Sequence, residues 1–173
     1  MSRPKIQVFG HTALPVITDL HNKIHAGEVF FAMQSSASLG AGSALLMELI
    51  LDSFEVHLKS IDYYNGLAGL LELLEAPTIT DGNSPIVALN RNRNSSKKAS
   101  LTKIYSNPTA ISGGTALESI PFAGNVLSST VEVTIDNEWV LKPGTKYLIR
   151  LTNNGGAGTP AYFKANWYEE ASS

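Results

Sequence analysis

The chain has no cysteine among its 173 residues. That absence removes disulfide frameworks, thiolate metal sites and cysteine nucleophiles together, and it leaves stability to packing and assembly. Charge is also scarce. Asp, Glu, Lys and Arg make up 16% of the chain, against about 25% in an ordinary soluble domain, so part of the surface is expected to be covered by partners. Neither sign dominates: 13 Lys and Arg against 15 Asp and Glu give a formal net charge of -2. Such a balance offers no long-range attraction to phosphate backbones or anionic membranes, and neither nucleic acid nor membrane is expected as a partner. No apolar run approaches the ~20 residues of a membrane-spanning helix, and the opening MSRPKIQVFGHTALP lacks the apolar stretch of a signal peptide. Synthesis in the cytoplasm, with any exit by lysis or inside a particle, is the expectation.

What the sequence does contain is apolar material, 43% of residues, arranged in short runs between Gly, Asn, Ser, Pro and Asp clusters. About nine runs read as strands: 28–34, 43–51, 55–63, 70–75, 86–89, 101–105, 129–135, 146–153 and 161–168. Alternation identifies buried faces. Val131, Val133 and Ile135 share one parity, as do Tyr147, Ile149 and Leu151, while Lys146, Leu148 and Arg150 point the other way. Leu148 is therefore expected against a second layer or a subunit contact. In the last run Ala161, Phe163, Ala165 and Trp167 face the core, opposite Tyr162 and Lys164. In 55–60, Val56, Leu58 and Ser60 share one face and Glu55, His57 and Lys59 the other. LAGLLELLEAP competes as a helix, because Leu, Ala and Glu are good helix formers and Pro77 would end the segment. Turn-rich segments at 78–85, 90–100 and 106–114 are too polar for core, and loops of this length are commonly binding elements. The residues before Ile24 lack periodicity and read as an arm, giving two parts: an arm over 1–23 and one β domain over 24–173.

Catalytic and metal signatures are weak. His21 and His25 have the four-residue spacing of a zinc-binding helix, but the segment lacks the general-base Glu and reads as non-helical, so a turn or capping histidine is the ordinary explanation. GAGSA around Ser43 departs from the nucleophile elbow because Ala44, not Gly, follows the serine. Asp136 and Glu138 flank Asn137 in an expected hairpin turn, and Glu169 and Glu170 sit at the chain's end. TITDGNS supplies one carboxylate, too few for calcium. A hydrolytic site would need His57, Asp62 or another acid to converge on a nucleophile. No catalytic residue, cofactor or metal is expected. Arg91, Arg93, Lys97 and Lys98 form the densest positive patch, without the interleaved aromatics of a single-strand binder, and guanidinium suits an interface ion pair with a protein. Trp139, Tyr147, Trp167 and Tyr168 could form a sugar-binding shelf, but their strand positions favour core packing.

Four strings carry a resemblance: IHAG at 24–27, ALNRNRNSS at 88–96, EWVLKPGTKYLIRLTNN at 138–154 and NWYE at 166–169. Together they resemble a family of small β-rich virion proteins of tailed bacteriophages. The resemblance implies an all-β fold, an antiparallel β-sandwich of jelly-roll type with an extended N-terminal arm and long loops. It also implies a structural role as a capsid decoration (cement) protein on the virion surface, bound to the major capsid protein and self-associated as a homotrimer. Within that picture Arg91, Arg93, Lys97 and Lys98 are expected contacts to a neighbour or to the capsid, and Arg150 an inter-subunit pair. A tail or fibre adaptor and a glycan-binding module are the alternatives.

Overall fold

Alternating side chains make nearly every regular element of this chain a strand. The structure, a computed structural model, describes residues 6–8, 11–13, 19–53, 55–99, 103–124, 133–135 and 138–170. In order the elements are β1 (Ile6–Val8), β2 (His11–Ala13), α1 (Asp19–Ala26), β3 (Val29–Leu39), β4 (Ala44–Ile50), β5 (Glu55–Asn65), β6 (Gly69–Glu75), β7 (Thr78–Thr80) and β8 (Ser84–Pro85). There follow β9 (Leu89–Asn90), β10 (Lys103–Ser106), β11 (Thr109–Ser112), β12 (Thr115–Phe122), β13 (Val133–Ile135), β14 (Trp139–Leu141), β15 (Lys146–Asn153) and β16 (Thr159–Glu170).

Two antiparallel sheets organise the chain. The first has the order β12-β6-β15-β4-β10-β8, the second β13-β5-β16-β3-β9 with β14 also on β5. The chain changes sheet at every step from β3 to β6. Its last two strands then return to the middle, β15 between β4 and β6 and β16 between β3 and β5. The alternation of those two strands therefore governs the interior. Tyr147, Ile149, Leu151, Phe163, Ala165 and Trp167 are all buried, in one apolar cluster with Met47, Leu49, Leu71 and Leu73 from the first sheet and Phe30, Leu58, Ile61 and Tyr63 from the second. Truncating Phe163 or Trp167 to Ala in such packing costs about 3–5 kcal/mol.

Several expectations change. The segment before Ile24 holds a β1–β2 hairpin and the start of a helix, and α1 carries His21 and His25 on one face with ring centroids 4.5 Å apart. The helix is two turns long, too short to show a clear period, but its stop signal is plain. Gly27 adopts φ +73°, its N–H donates to Ile24 O at 3.0 Å, and the Glu28 N–H donates to Lys23 O at 2.9 Å, the paired bonds of a Schellman cap. LLELL is strand β6, as read over 70–75, because partners on both edges override the helix propensity of its competitor. In β5 the extra residue is Lys59: Asn166 pairs with Ser60 and Trp167 with Leu58. This bulge shifts Ser60 to the face of His57 and turns Ile61 inward. The run 86–89 contributes only Leu89 to a strand, and 86–88 link the edges of the two sheets. Residues 101, 102, 129–132 and 136 lie outside the described residues, as do the side chains of Val133, Ile135 and Glu170.

The polar segments 78–85 and 106–114 hold structure too. From β6 the chain must reach β8 on the far edge of the first sheet, and from β10 it must return to β12; the two paths pair as the β7–β11 ribbon. The Gly82 N–H donates to Glu48 Oε2 at 3.1 Å, Asp81 pairs with Lys146, and Glu48 and its register partner Leu148 are fully buried although they point away from the core. The second layer expected over Leu148 is this strap.

Candidate functional site

Three of the strings that carried the resemblance, 24–27, 88–96 and 166–169, are far apart in sequence and meet at one end of the second sheet with Glu138, the start of the fourth, whose later part is β15 of the first sheet. NRNRN forms a loop in which the asparagines hold the backbone. Asn90 Nδ2 donates to Gly27 O at 2.8 Å and to Lys97 O at 3.1 Å. Its Oδ1 accepts the Asn92 N–H at 2.8 Å, and Asn92 Oδ1 accepts the Asn94 N–H at 3.1 Å. Asn92 Nδ2 also reaches His25 O at 2.9 Å. These are Asx turns in series, the local competition with regular structure for which asparagine is suited. Gly27 is required twice here, by its positive φ and because a Cβ would lie 2.2 Å from Ser95 Oγ. The loop is thus seated on the cap of α1.

The intervening arginines point elsewhere. Arg91 follows β9 at the sheet edge and crosses β3, so that Nη2 donates to Asn166 Oδ1 at 2.6 Å. Asn166 Nδ2 in turn donates to Asp62 Oδ2 at 2.9 Å and Ser60 Oγ at 3.0 Å, and Lys164 Nζ lies 2.7 Å from the same Asp62 oxygen. The result is a polar row across the outer face of β3, β16 and β5, with Asp62 and Asn166 buried beneath it. Arg93 is exposed and makes no hydrogen bond or ion pair with a described residue. Lys97 pairs with Glu28 at 3.0 Å. Lys98 lines a mostly apolar cleft of about 440 Å³ between residues 85–88 and 103–105. Arg150 lies away from this end, its Nε 2.6 Å from Glu72 Oε2 on the adjacent strand β6, and that carboxylate raises the guanidinium's pKa.

Next to the row, Tyr168 of NWYE stacks on His57 with centroids 4.5 Å apart, lies under Lys23 Nζ at 4.3 Å and donates its hydroxyl to Glu138. His57 Nδ1 is 2.9 Å from the same carboxylate oxygen. The Tyr168 hydroxyl, then His57 and Lys59, hold the Glu138 carboxyl below its usual range. The two groups considered for hydrolysis are engaged separately, His57 by Glu138 and Asp62 by Lys164 and Asn166. Of the proposed aromatic shelf, Tyr147 and Trp167 are in the core, Tyr168 is covered, and Trp139 packs against the core. Among the described residues no cluster of three or more His, Asp or Glu is placed to hold a metal ion.

The two outer faces differ. On the first sheet the strap bonds to Glu48 and Lys146, and Glu48 and Leu148 are fully buried. The second carries three of the four large apolar side chains exposed among the described residues, Met33 (52% exposed), Leu89 (41%) and Val140 (54%), with Val87 (76%) at its edge, and a stacked Tyr64–Tyr162 pair at 5.8 Å. Sequence reasoning found the arginines through their charge and named Asp62 only as a possible acid; it missed the joining of Arg91 to Asn166 and Asp62 and the exposure of Met33, which follow from strand order. Comparisons with protein-family models, curated proteins and solved structures return no match.

Proposed function

We propose that the protein is a non-catalytic structural module, a jelly-roll β-sandwich that docks onto a protein lattice through the outer face of its second sheet. Two features support the fold reading. β3, β16, β5 and the β13/β14 pair lie side by side, as do β4, β15, β6 and β12, and along the chain these strands change sheet at every step but β6 to β12, which is the winding of a jelly roll. The docking reading rests above all on the asymmetry of the faces: the open one combines exposed apolar side chains with Arg91 and Arg93 at its rim, the composition of an interface. With the phage-virion resemblance, the role is that of a decoration protein, made in the host cytoplasm and bound as a homotrimer to the major capsid protein, its arginines paired with capsid carboxylates.

Copy number per purified particle, by quantitative mass spectrometry normalised to the major capsid protein, tests the role, because lattice symmetry ties location to stoichiometry. A ratio near one is expected. A handful of copies would move the protein to a tail or fibre, and absence from particles would reject the virion reading. Arg93→Glu should weaken capsid binding at least tenfold, since it turns an attractive rim charge repulsive. The Tyr64–Tyr162 pair favours glycan binding as a second reading, for which glycan-array binding lost in Tyr162→Ala is the discriminating result.

A further inference from the structure

The edges of the two sheets are guarded unequally. An unpaired strand edge templates pairing with another chain, and proteins blunt it with short strands, bulges, charge or proline. β8 and β9 are two residues long, β13 and β14 three each, and β12 carries a bulge between Ala116 and Glu118 as well as Pro121. β3 carries a bulge only near its end, between Ser36 and Leu39, and before it none of these devices. β9 covers it only at Phe30 and Phe31, and on the first sheet β10 pairs with β4 only from Met47 to Ile50, so both sheets are open beside the β3–β4 turn. The Arg91 N–H donates to Val29 O at 2.9 Å. Backbone groups of Val29's parity therefore point away from β16 as far as the bulge, and those of Met33 and Ser35 face an edge with no partner among the described residues. From Val29 to Leu39 there is neither a charge nor a proline.

The chain also contains a strand pair with no sheet. Among the described residues β1 and β2 pair only with each other, and an isolated two-stranded hairpin is marginal in water. Their sequences, IQV and HTA, carry no Lys, Arg, Asp or Glu, which matches a neutral edge.

We infer that the β1–β2 arm of a second copy of this chain adds to the free edge of β3 around Met33 and Ser35. Each chain gives its arm to one neighbour and accepts an arm from another, a head-to-tail contact that closes into a ring. The inference concerns self-association and stands apart from the docking proposed above.

The test is the mass of the full chain by light scattering, free of any particle. The wild type should be several times 18.5 kDa. Ser35→Pro, where the N–H lost faces the open edge, and Ser35→Lys, which charges that edge, should both fall to a single chain with the far-ultraviolet dichroism unchanged. Because the protein has no cysteine, a chain with Ile6→Cys, Gln7→Cys or Val8→Cys mixed with a Ser35→Cys chain should form a disulfide-linked heterodimer in at least one pairing. A monomeric wild type, or folded Ser35 variants of unchanged mass, would overturn the inference. Loss of mass in the Ser35 variants with no heterodimer from any arm position would refute the arm as the occupant and leave β3 pairing with itself.

Discussion

Replacing the alternating asparagines of the NRNRN loop one at a time should give a graded loss of stability. Asn90→Ala removes three hydrogen bonds at a buried position: two donated to Gly27 O and Lys97 O, and one accepted from the Asn92 N–H. At about 1 kcal/mol net for each bond the cost is about 3 kcal/mol, which for a chain of this size lowers Tm by about 6–12 °C. Asn92→Ala gives up two more exposed bonds, to His25 O and from the Asn94 N–H, for about 1 kcal/mol. Asn94 is exposed, and its replacement should fall within about 0.5 kcal/mol of wild type. Urea unfolding reads all three, with midpoints shifting at constant slope. If Asn90→Ala proves no more costly than Asn94→Ala, the asparagines do not hold the loop, and the seating of Arg91 on Asn166 loses its basis.

Backbone conformation gives two opposite outcomes. Gly27→Ala forces a Cβ into the left-handed region and against Ser95, costing about 1–2 kcal/mol or more, whereas Ala76→Gly, at φ 51°, should stabilise the fold by about 1 kcal/mol, read as a higher urea midpoint. Stability should fall with acid. The carboxyls of Glu138 (Tyr168 hydroxyl, then His57), Glu75 (Lys142, then Tyr147) and Asp81 (Lys146) are all lowered in the fold. A depressed carboxyl stabilises the fold above its unfolded pKa and loses that contribution as pH falls through the folded one, here from about pH 4.5 downward. Glu138→Gln should flatten this acid limb in melts taken between pH 7 and 3, and an unchanged limb would rule out its ion pairs as a cause. In alkali, burial pushes the Tyr147 hydroxyl up to about 12. The folded state then holds its proton more tightly, so stability declines as pH rises past 10. Tyr147→Phe should lose about 2 kcal/mol at neutral pH with the Lys142 N–H and Glu75 bonds, yet show a shallower alkaline decline.

Strands with one buried face were legible because alternation records burial directly. The run 146–153 coincides with β15, and 161–168 lies inside β16. The strap, β12 and the two-residue edge strands were not legible. β7 and β11 satisfy their backbones against each other rather than by burying a face, so no apolar period marks them. The Lys59 bulge was invisible for a related reason: one extra residue leaves the alternation intact on either side, and only the register against β16 reveals the shift. Helix α1 announced its end through Gly27 but not its body.

The site was legible only as charge. Arg91 and Arg93 stand two apart in one loop and look equivalent in sequence. Strand order separates them, because β9 lies beside β3 and β3 beside β16, so Arg91 reaches Asn166 while Arg93 projects into solvent. The low charge of the chain predicted a covered surface without saying which one. Burial separates the two sheets: Leu148 and Glu48, on the outer face of the first, are fully buried where the strap bonds to Glu48, whereas Met33, on the outer face of the second, is half exposed beside the Lys164–Asp62 pair. Exposed apolar side chains gathered on one face are the mark of a contact surface, and among the described residues that is the face on which the proposed docking rests, on the sheet that also ends in the open edge of β3.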